Sequence, residues 1–455
     1  MVAELNVWMN GQLVDNWSHS RSKVPIFRYD AAWILSDASR PLSLSLPMTA
    51  GNAEIRGPVV ENYFDNLLPD SQAIRERIRT RYRTRSAQTF ELLEAIGRDC
   101  VGAVQLLPPD MEPSGWDAVH SDVLTPAQLA EQLRAASATM PLGQHHDRDN
   151  EFRISIAGAQ EKTALLKFGG RWHRPKGSTP TTHILKLPLG LVGNMRADTK
   201  DSIENEWLCA KILAALQFKV ASTDMQTFED QKALVVERFD RRWLNIAAGA
   251  QNKKNFKPAP GVWIARLPQE DFCQMAGVGP DKKYEAYGGP TMRHCLDYLA
   301  ASQFAADDKS HFVLAQLAFW LLAATDGHAK NFSIFVERGG AYRMTPLYDV
   351  LSVWPIIGKG ANMLSHQDAK LAMALHPKNI HYRLAEIRVR HWHRLAQSTS
   401  VDGLWERMIT MVKRVDSALD AVEAQLPDDF PAVVWDRICA GTKRHAVQFL
   451  REIGR

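Results

Sequence analysis

The feature that most constrains this chain is an apolar run from Phe312 to Ala324, followed directly by Thr325-Asp326-Gly327-His328-Ala329-Lys330-Asn331. The run is too short to cross a bilayer and too long for an ordinary strand, so it predicts a buried helix. A polar loop at the end of a buried helix holds its side chains rigidly, as a reactive site requires. The Asp, His, Lys and Asn of this loop are therefore the first candidates for chemistry.

The spacing of Asp326 and Asn331 indicates one kind of chemistry. They lie five positions apart, as do the Asp that orients the attacking hydroxyl and the metal-binding Asn in protein kinases. The next segments predict a hairpin around Gly339-Gly340 that leads to a second acidic residue, Asp349. Two carboxylates and an amide oxygen suit Mg²⁺. Each aspartate alone is more commonly a turn or loop residue, but the ordered set favours a phosphotransfer site.

A phosphate-binding loop is predicted upstream. Two strand patterns, at 153–156 and 163–168, flank the small-residue stretch Ala157-Gly158-Ala159-Gln160-Glu161-Lys162. Backbone N–H groups in such a loop can hold phosphates, as the glycine-rich loop of kinases does. The stretch lacks the G-x-G-x-x-G pattern, and by itself it would be interpreted as a simple hairpin turn.

Lys186 is a candidate for the nucleotide-phosphate lysine. It projects from a strand pattern at 183–187, and a lysine among apolar residues needs an anion. The helix predicted over 202–216 offers Glu204 or Glu206 as its partner. Glu206 is slightly favoured for the pair, and a solvent-facing position is the default for both glutamates.

The rest of the chain predicts a two-lobe arrangement with an added N-terminal unit. Residues 1–110 form a small α+β subdomain that begins with a hairpin at Asn10-Gly11. Residues 111–240 form a β-rich lobe. The strand and charged turn at 234–243 suit a hinge between two lobes, where backbone groups can bind the edge of an adenine. Residues 241–455 form a helical lobe, apart from the hairpin around Gly339-Gly340.

Three local expectations complete the outline. Residues 42–46 are a further strand candidate, and a helix follows Pro69 with Asp70 or Ser71 as its cap. Six arginines at odd positions between 75 and 85 lie on that helix, so a solvated face is favoured over a nucleic-acid stripe. Residues 245–262 predict an exposed loop.

Composition excludes several classes of protein. The 455 residues are 45% hydrophobic and 23% charged, with a net charge of +4, as in ordinary globular proteins. The five cysteines form no CxxC pair, which disfavours a zinc site or a disulfide framework. The sequence shows no signal-peptide pattern and no membrane-spanning run, so a cytoplasmic protein is expected.

Taken together, the motifs resemble the HipA family of serine/threonine kinase toxins from bacterial type II toxin–antitoxin systems. The matching sequence segments occur in the same order as in the family: Ile154–Thr163, Pro180–Pro188, Val236–Trp243, Arg266–Asp271, Ala324–Asn331 and Thr345–Asp349. The resemblance implies an α+β, protein-kinase-like two-lobe fold with a β-rich N-lobe, an added N-terminal α+β subdomain and an all-helical C-lobe.

The resemblance also implies roles for the matched residues. Asp326 corresponds to the catalytic base, Asn331 and Asp349 to the Mg²⁺ ligands, and Lys186 to the lysine on the ATP phosphates. The implied ATP contacts are Ala157, Gly158, Ala159, Gln160, Glu161, Lys162, Lys186, Glu237, Arg238, Phe239, His328, Ala329, Lys330, Asn331, Tyr348 and Asp349. Ser155 lies where family members autophosphorylate, and a phosphate of about −1.5 to −2 charge there would repel the ATP phosphates and switch the kinase off.

Partners are implied in the same way: a HipB-like helix-turn-helix antitoxin, operator DNA mainly through that antitoxin, and glutamyl-tRNA synthetase or a related aminoacyl-tRNA synthetase as substrate. No membrane partner is expected. Two alternatives stay open. One is a nucleotide-regulated corepressor with little kinase activity. The other is a small-molecule kinase of the aminoglycoside-phosphotransferase type, which the wording around Ser155 and Asp326 disfavours.

Overall fold

The computed structural model describes residues 4–20, 24–137, 155, 160–192, 197–360, 362–376 and 379–454. The chain divides into two compact units. The first comprises Met1–Leu187, Gln226–Asp281 and Ile334–Tyr342, and the second comprises Pro188–Met225, Lys282–Ser333 and Arg343–Arg455. Each unit therefore gathers segments that are far apart in the sequence.

The regular elements of the N-terminal half follow one another in short segments. Up to residue 107 they are β1 (Glu4–Met9), β2 (Gln12–His19), β3 (Pro25–Tyr29), α1 (Ala31–Leu35), β4 (Ile55–Arg56), α2 (Pro58–Asp65), α3 (Gln72–Tyr82), α4 (Thr89–Ile96) and β5 (Val104–Leu107). Up to residue 237 they are β6 (Ser121–Val123), α5 (Pro126–Ser137), β7 (Lys162–Phe168), β8 (Arg171–Pro175), β9 (His183–Lys186), β10 (Gly190–Val192), β11 (Ala197–Thr199), α6 (Ser202–Ala215), β12 (Thr223–Phe228) and β13 (Gln231–Glu237).

The C-terminal half is richer in helix. Its elements are β14 (Arg241–Leu244), β15 (Trp263–Arg266), β16 (Gln269–Asp271), α7 (Phe272–Met275), α8 (Met292–Leu299), α9 (Ala305–Leu322), β17 (Ser333–Val336), β18 (Tyr342–Met344), β19 (Lys370–Leu375), β20 (His381–Arg383), α10 (Val389–Ser398), α11 (Leu404–Lys413), α12 (Val415–Glu423) and α13 (Ala432–Ile453).

The N-terminal subdomain is built on an antiparallel sheet in the order β4-β3-β2-β1-β5. Asn10 and Gly11 have φ of 47° and 80°, the positive values that a two-residue hairpin turn needs, so the predicted hairpin is confirmed. Trp17 of β2 stacks on Phe64 of α2 with 4.0 Å between ring centroids. Both side chains are fully buried, and they lie in the hydrophobic core under this sheet.

The strand predicted at residues 42–46 is wrong. Ser43 and Leu46 form only an isolated bridge. The backbone N–H of Leu44 donates instead to a carboxylate oxygen of Glu270 at 2.9 Å, and the Ser43 hydroxyl donates to the other oxygen. A buried side chain distant in sequence therefore takes a backbone donor that a neighbouring strand would need.

The helix predicted after Pro69 is α3, and Ser71 caps it. Its first arginines are ion-paired: Arg75 with Asp65 at 2.6 Å, and Arg77 with Glu161. Arg81 is exposed at the end of the helix. Arg83 ends the helix in the left-handed conformation with φ of 54°, and Arg85 lies beyond it; both are exposed. The prediction of a helix thus holds for the arginines up to position 81 and is wrong for the last two.

A second sheet has six strands in the order β12-β13-β9-β7-β8-β6. Strand β9 pairs with β13 on one side and β7 on the other. Leu185 and Leu187 of this segment lie in one core, as the alternation predicted. Lys186 therefore points to the opposite face of the sheet.

The predicted exposed loop at 245–262 connects β14 to β15, and it contacts the turn between β7 and β8. Gly169 donates to the carbonyl oxygen of Gln251 at 2.8 Å and accepts from the N–H of Asn255 at 3.1 Å. The ring of Phe256 packs edge-on to Phe168 with 6.3 Å between centroids. The loop is thus anchored within the first unit.

Helix α9 is the centre of the second unit and confirms the predicted buried helix. Helices α8, α10, α11 and α13 all contact it. The patterns did not predict the short antiparallel pair β19–β20. Strand β19 is buried at almost every position, so it lacks the alternation that marks a strand. Within the described residues, no helix combines the length and hydropathy needed to cross a membrane.

Candidate active site

The polar stretch predicted to be reactive forms a tight loop at the end of α9. Ala323 ends the helix in the left-handed conformation with φ of 49°. The backbone N–H of His328 donates to the carbonyl oxygen of Asp326 at 2.8 Å, and a 3₁₀ turn covers Ala329–Asn331. The loop is therefore held by its own backbone hydrogen bonds.

Gly327 allows α9 to lie close against this loop. A β-carbon at this position would be 2.4 Å from Cδ2 of Phe319 on α9. Carbon atoms that are not bonded pack at about 3.5–4.0 Å. Any side chain at position 327 must therefore displace the ring of Phe319, the loop or the helix.

Asp326 and Asn331 have different environments. The Asp326 side chain is 57% exposed, whereas Asn331 is 6% exposed. The amide nitrogen of Asn331 donates to the carbonyl oxygen of Asp326 at 2.7 Å. Because this nitrogen is committed, the amide oxygen is the atom of Asn331 that can face a cation.

Asp349 is tied to the same loop through its neighbour. The hydroxyl of Tyr348 donates to the carbonyl oxygen of Lys330 at 2.9 Å and also contacts the hydroxyl of Ser333. Asp349 itself has φ of 60°, in the left-handed region. For a residue with a β-carbon this conformation costs about 1–2 kcal/mol. Backbone strain of this kind concentrates at functional sites.

The chain beyond Asp349 is fixed by α6 and α9. The side-chain amide of Asn205 donates to the carbonyl oxygen of Ser352 at 2.7 Å and accepts from its N–H at 2.9 Å. The Ser352 hydroxyl donates to the carbonyl oxygen of Leu322 at the end of α9. The segment that carries Asp349 is thus held on both sides within the second unit.

The donor set fits a metal ion that arrives with a nucleotide. Among the described residues, no group of three or more His, Cys, Asp or Glu side chains could hold a metal ion by itself. Asn331 and Asp349 together offer an amide oxygen and a carboxylate. Mg²⁺ commonly takes one or two protein ligands of this kind and completes its shell with phosphate oxygens and water.

Lys186 lies on β9 in the first unit, opposite Leu234 of β13 and Lys162 of β7. It is 6% exposed. The two glutamates considered as its partner, Glu204 and Glu206, are buried on α6. Their expected solvent-facing position is therefore wrong, and the pairing of Lys186 with Glu206 stays a prediction.

Of the predicted phosphate loop, the structure describes only the last residues, Gln160 to Lys162. Ala157, Gly158 and Ala159 lie outside the described residues. The amide of Gln160 donates to the carbonyl oxygen of Leu187 at 2.5 Å, and the N–H of Leu187 donates to the carbonyl oxygen of Glu161 at 3.0 Å. The loop thus ends against the strand that carries Lys186, and Lys162 begins β7.

Ser155 is fully buried against the N-terminal subdomain. Its hydroxyl donates to the carbonyl oxygen of Leu67 at 2.7 Å. Its backbone N–H donates to the carbonyl oxygen of Asp99 at 3.2 Å. In this conformation the hydroxyl has a hydrogen-bond partner and no contact with solvent.

The predicted hinge segment remains in the first unit, which continues to Asp281. Glu237 is exposed at the end of β13, and the backbone N–H of Arg238 donates to Thr182 at 2.9 Å. The ring of Phe239 lies edge-on to Phe335 with 5.9 Å between centroids. An adenine contact from these residues stays a prediction.

A buried ionic cluster behind this segment was missed by sequence reasoning. Asp99 accepts from Arg241 at 2.9 Å, Arg266 at 3.1 Å and Arg238 at 3.3 Å, and Arg238 also pairs with Asp240 at 2.7 Å. Burial alone would raise the pKa of Asp99, but Arg241, Arg266 and Arg238 hold it well below its ordinary value. The cluster therefore joins the N-terminal subdomain to the β-rich lobe through paired charges.

Sequence reasoning also missed Tyr284, whose hydroxyl donates to Oδ1 of Asp326. Nε2 of His328 lies 3.8 Å from the same oxygen. Tyr284 precedes a short 3₁₀ turn at Glu285–Tyr287. Irregular segments carry no periodicity, so no sequence signal pointed to it.

Comparisons with known proteins place two parts of the chain in described domain families. The HipA-like C-terminal domain matches residues 154–426, and the HipA N-terminal domain matches residues 5–107. The chain is 33% identical to Y4mE of Sinorhizobium fredii, a protein named as a kinase, over 94% of this chain and 93% of that one. It is 28% identical to the serine/threonine-protein kinase toxin HipA of Shewanella oneidensis, over 74% of this chain and 70% of that one.

A solved structure has the same fold. It is described as the toxin–antitoxin system HipA, HipB and its operator DNA complex of Shewanella oneidensis MR-1. The match has a TM-score of 0.76 and 21% identity, and it covers 99% of this chain and 98% of the other. The α+β, kinase-like fold predicted from the sequence is thereby confirmed.

Proposed function

The chain belongs to the HipA family of serine/threonine-protein kinases, and from that premise we propose that it transfers the γ-phosphate of Mg²⁺-ATP to a protein serine or threonine. The observation that carries this proposal is the loop after α9. It presents an exposed Asp326 whose carbonyl oxygen is bonded to a buried Asn331. This is the arrangement that a base and a metal ligand need when they act on one phosphoryl group.

Each residue of the site has a separate role in the proposed reaction. Asp326 accepts the proton of the attacking hydroxyl, and its exposure leaves it open to a protein substrate. Asn331 and Asp349 would hold Mg²⁺, which neutralises charge on the phosphates. Lys186 would supply a positive charge to the same phosphates, and residues 157–162 are the proposed phosphate loop.

Ser155 is the proposed site of self-inactivation. Its hydroxyl is a donor to the carbonyl oxygen of Leu67 in a fully buried position. A phosphoserine has only acceptor oxygens near neutral pH and a charge of about −1.5 to −2. Its oxygens would repel the carbonyl oxygen of Leu67, so phosphorylation would drive Ser155 out of its buried position. The proposed phosphate loop follows Ser155 directly in the sequence, so this displacement would switch the kinase off.

The biological role proposed here is that of a toxin. Its partner would be a HipB-like helix-turn-helix antitoxin, and the pair would repress its operator, with DNA contacts mainly through the antitoxin. The substrate would be glutamyl-tRNA synthetase or a related aminoacyl-tRNA synthetase in the cytoplasm. The complex of the Shewanella oneidensis toxin–antitoxin system supports the first two points, and the family resemblance supports the third.

The test is phosphosite mapping by mass spectrometry after the purified protein has been incubated with Mg²⁺-ATP. An Asp326→Gln variant is the control, because it replaces the carboxylate base with a neutral amide on a side chain that is polar and one methylene longer. Phosphate on Ser155 in the wild type alone would establish both the transfer and the switch. ATP binding without any phosphorylation of the wild type would favour the nucleotide-regulated corepressor.

A further inference from the structure

The segment Lys283–Gly289 lies directly against the catalytic loop. The hydroxyl of Tyr284 donates to Oδ1 of Asp326. The Tyr284 ring meets the ring of His328 edge-on, with 4.9 Å between centroids and an interplanar angle of 88°. The carbonyl oxygen of Lys283 accepts from the backbone N–H of Ala329 at 3.2 Å. Three different contacts thus join two neighbouring residues to one loop.

The position of Tyr284 is fixed from the other side by Glu285. This carboxylate side chain is 4% exposed and pairs with Nε2 of His376. It also accepts from the backbone N–H of Ala374 on β19 at 2.8 Å. The hairpin β19–β20, which the sequence patterns missed, therefore acts as the support of the segment.

The turn that follows Tyr284 is closed by backbone hydrogen bonds and tightly packed. The N–H of Gly288 donates to the carbonyl oxygen of Glu285 at 3.0 Å, and that of Gly289 donates to Tyr284 at 3.1 Å. Gly288 has φ of 86°. A β-carbon on Gly289 would lie 2.0 Å from the carbonyl oxygen of Lys282. Tyr284 is thus held on a closed, anchored turn.

We infer that Tyr284 is a positioning residue that orients the catalytic base. The inference rests on the proposed phosphotransfer. An exposed aspartate can rotate among several side-chain conformations, and most of them misdirect its second oxygen. A hydrogen bond from an anchored tyrosine to Oδ1 selects one conformation, so Oδ2 is left to accept the proton of the substrate hydroxyl.

The inference makes a specific kinetic prediction for Tyr284→Phe. This change removes the hydroxyl and keeps the ring against His328. A hydrogen bond to a charged group is commonly worth about 1.5–3 kcal/mol, so the maximal rate should fall on the order of tenfold to a hundredfold. The concentration of ATP that gives half the maximal rate should stay within about twofold of the wild-type value. The change leaves intact the contacts that bind ATP equally well in the ground state and in the transition state.

Tyr287→Phe is the matched control. Tyr287 lies three residues along the same turn, its ring centroid is 6.0 Å from that of Tyr284, and it is 71% exposed. Its variant removes an identical hydroxyl from the same segment. It should keep the rate and the ATP dependence of the wild type.

The experiment measures self-phosphorylation by intact-mass spectrometry over a range of Mg²⁺-ATP concentrations. A mixed serine- and threonine-containing peptide library serves as a second acceptor. Affinity for a non-hydrolysable ATP analogue is measured in parallel, since a structural defect would weaken nucleotide binding as well as the rate.

The outcomes separate the inference from the proposed function. A wild type that is inactive on both acceptors refutes the proposed function. An active wild type with an equally active Tyr284→Phe variant refutes the role of Tyr284. Equal losses in Tyr284→Phe and Tyr287→Phe, or a loss matched by weaker analogue binding, also refute it, because the turn would then serve only the fold.

Discussion

Replacement of Ser155 tests the link between burial and regulation. We compare Ser155→Asp, which introduces a negative charge, with Ser155→Ala, which removes the hydroxyl alone. In the wild type this hydroxyl is fully buried and donates to the carbonyl oxygen of Leu67 at 2.7 Å. Both variants lose that bond, and only the aspartate places a charged acceptor beside a carbonyl oxygen.

The free-energy costs of the two substitutions follow from the burial of Ser155. Loss of one hydrogen bond should cost Ser155→Ala about 1–2 kcal/mol, part of which is the buried carbonyl left unpaired. A carboxylate buried without donors costs at least several kcal/mol. The difference of about 3 kcal/mol corresponds to more than a hundredfold change in population of the buried conformation. Ser155→Asp should therefore leave this conformation, whereas Ser155→Ala should keep it.

The assay combines amide hydrogen exchange with nucleotide binding. Peptides containing Ser155 should exchange faster in Ser155→Asp than in Ser155→Ala, and a non-hydrolysable ATP analogue should bind Ser155→Asp more weakly. Urea unfolding of both variants supplies the free energies. If the two variants show the same exchange and the same affinity, the argument from burial and charge is wrong.

Three further changes test other parts of the structure. Burial raises the pKa of Glu270 to about 8 from an ordinary value of 4.5. The folded state therefore keeps a proton that the unfolded state releases, and the free energy of unfolding should fall between about pH 5 and 8. Glu270→Gln should flatten that slope in urea titrations. Asp99→Asn leaves three buried guanidinium groups with one carboxylate and should lower the free energy of unfolding by about 3–5 kcal/mol, measured in urea at pH 7. Gly327→Ala should force its β-carbon against Phe319 and reduce the phosphotransfer rate at least tenfold, while the far-UV spectrum stays that of the wild type.

The sequence by itself determined those features that depend on near neighbours. The Asn10-Gly11 hairpin follows from two residues that tolerate positive φ. The buried helix α9 follows from an uninterrupted apolar run, and the two faces of β9 follow from alternation. The spacing of Asp326, Asn331 and Asp349 is also local enough to be recognised, because one loop and one hairpin separate these residues.

The tertiary structure alone decided which distant groups meet. The Tyr284–Asp326 bond spans 42 positions, the Ser155–Leu67 bond spans 88, and the Arg238–Asp99 pair spans 139. No periodic pattern encodes such pairs, since they depend on how separate elements pack. The same applies to residues 42–46, where Glu270 accepts from the backbone N–H of Leu44, which the strand pattern had assigned to a sheet. Local patterns therefore located the candidate catalytic loop, while its contacts with Tyr284, and those of Glu285 with β19, depend on tertiary packing.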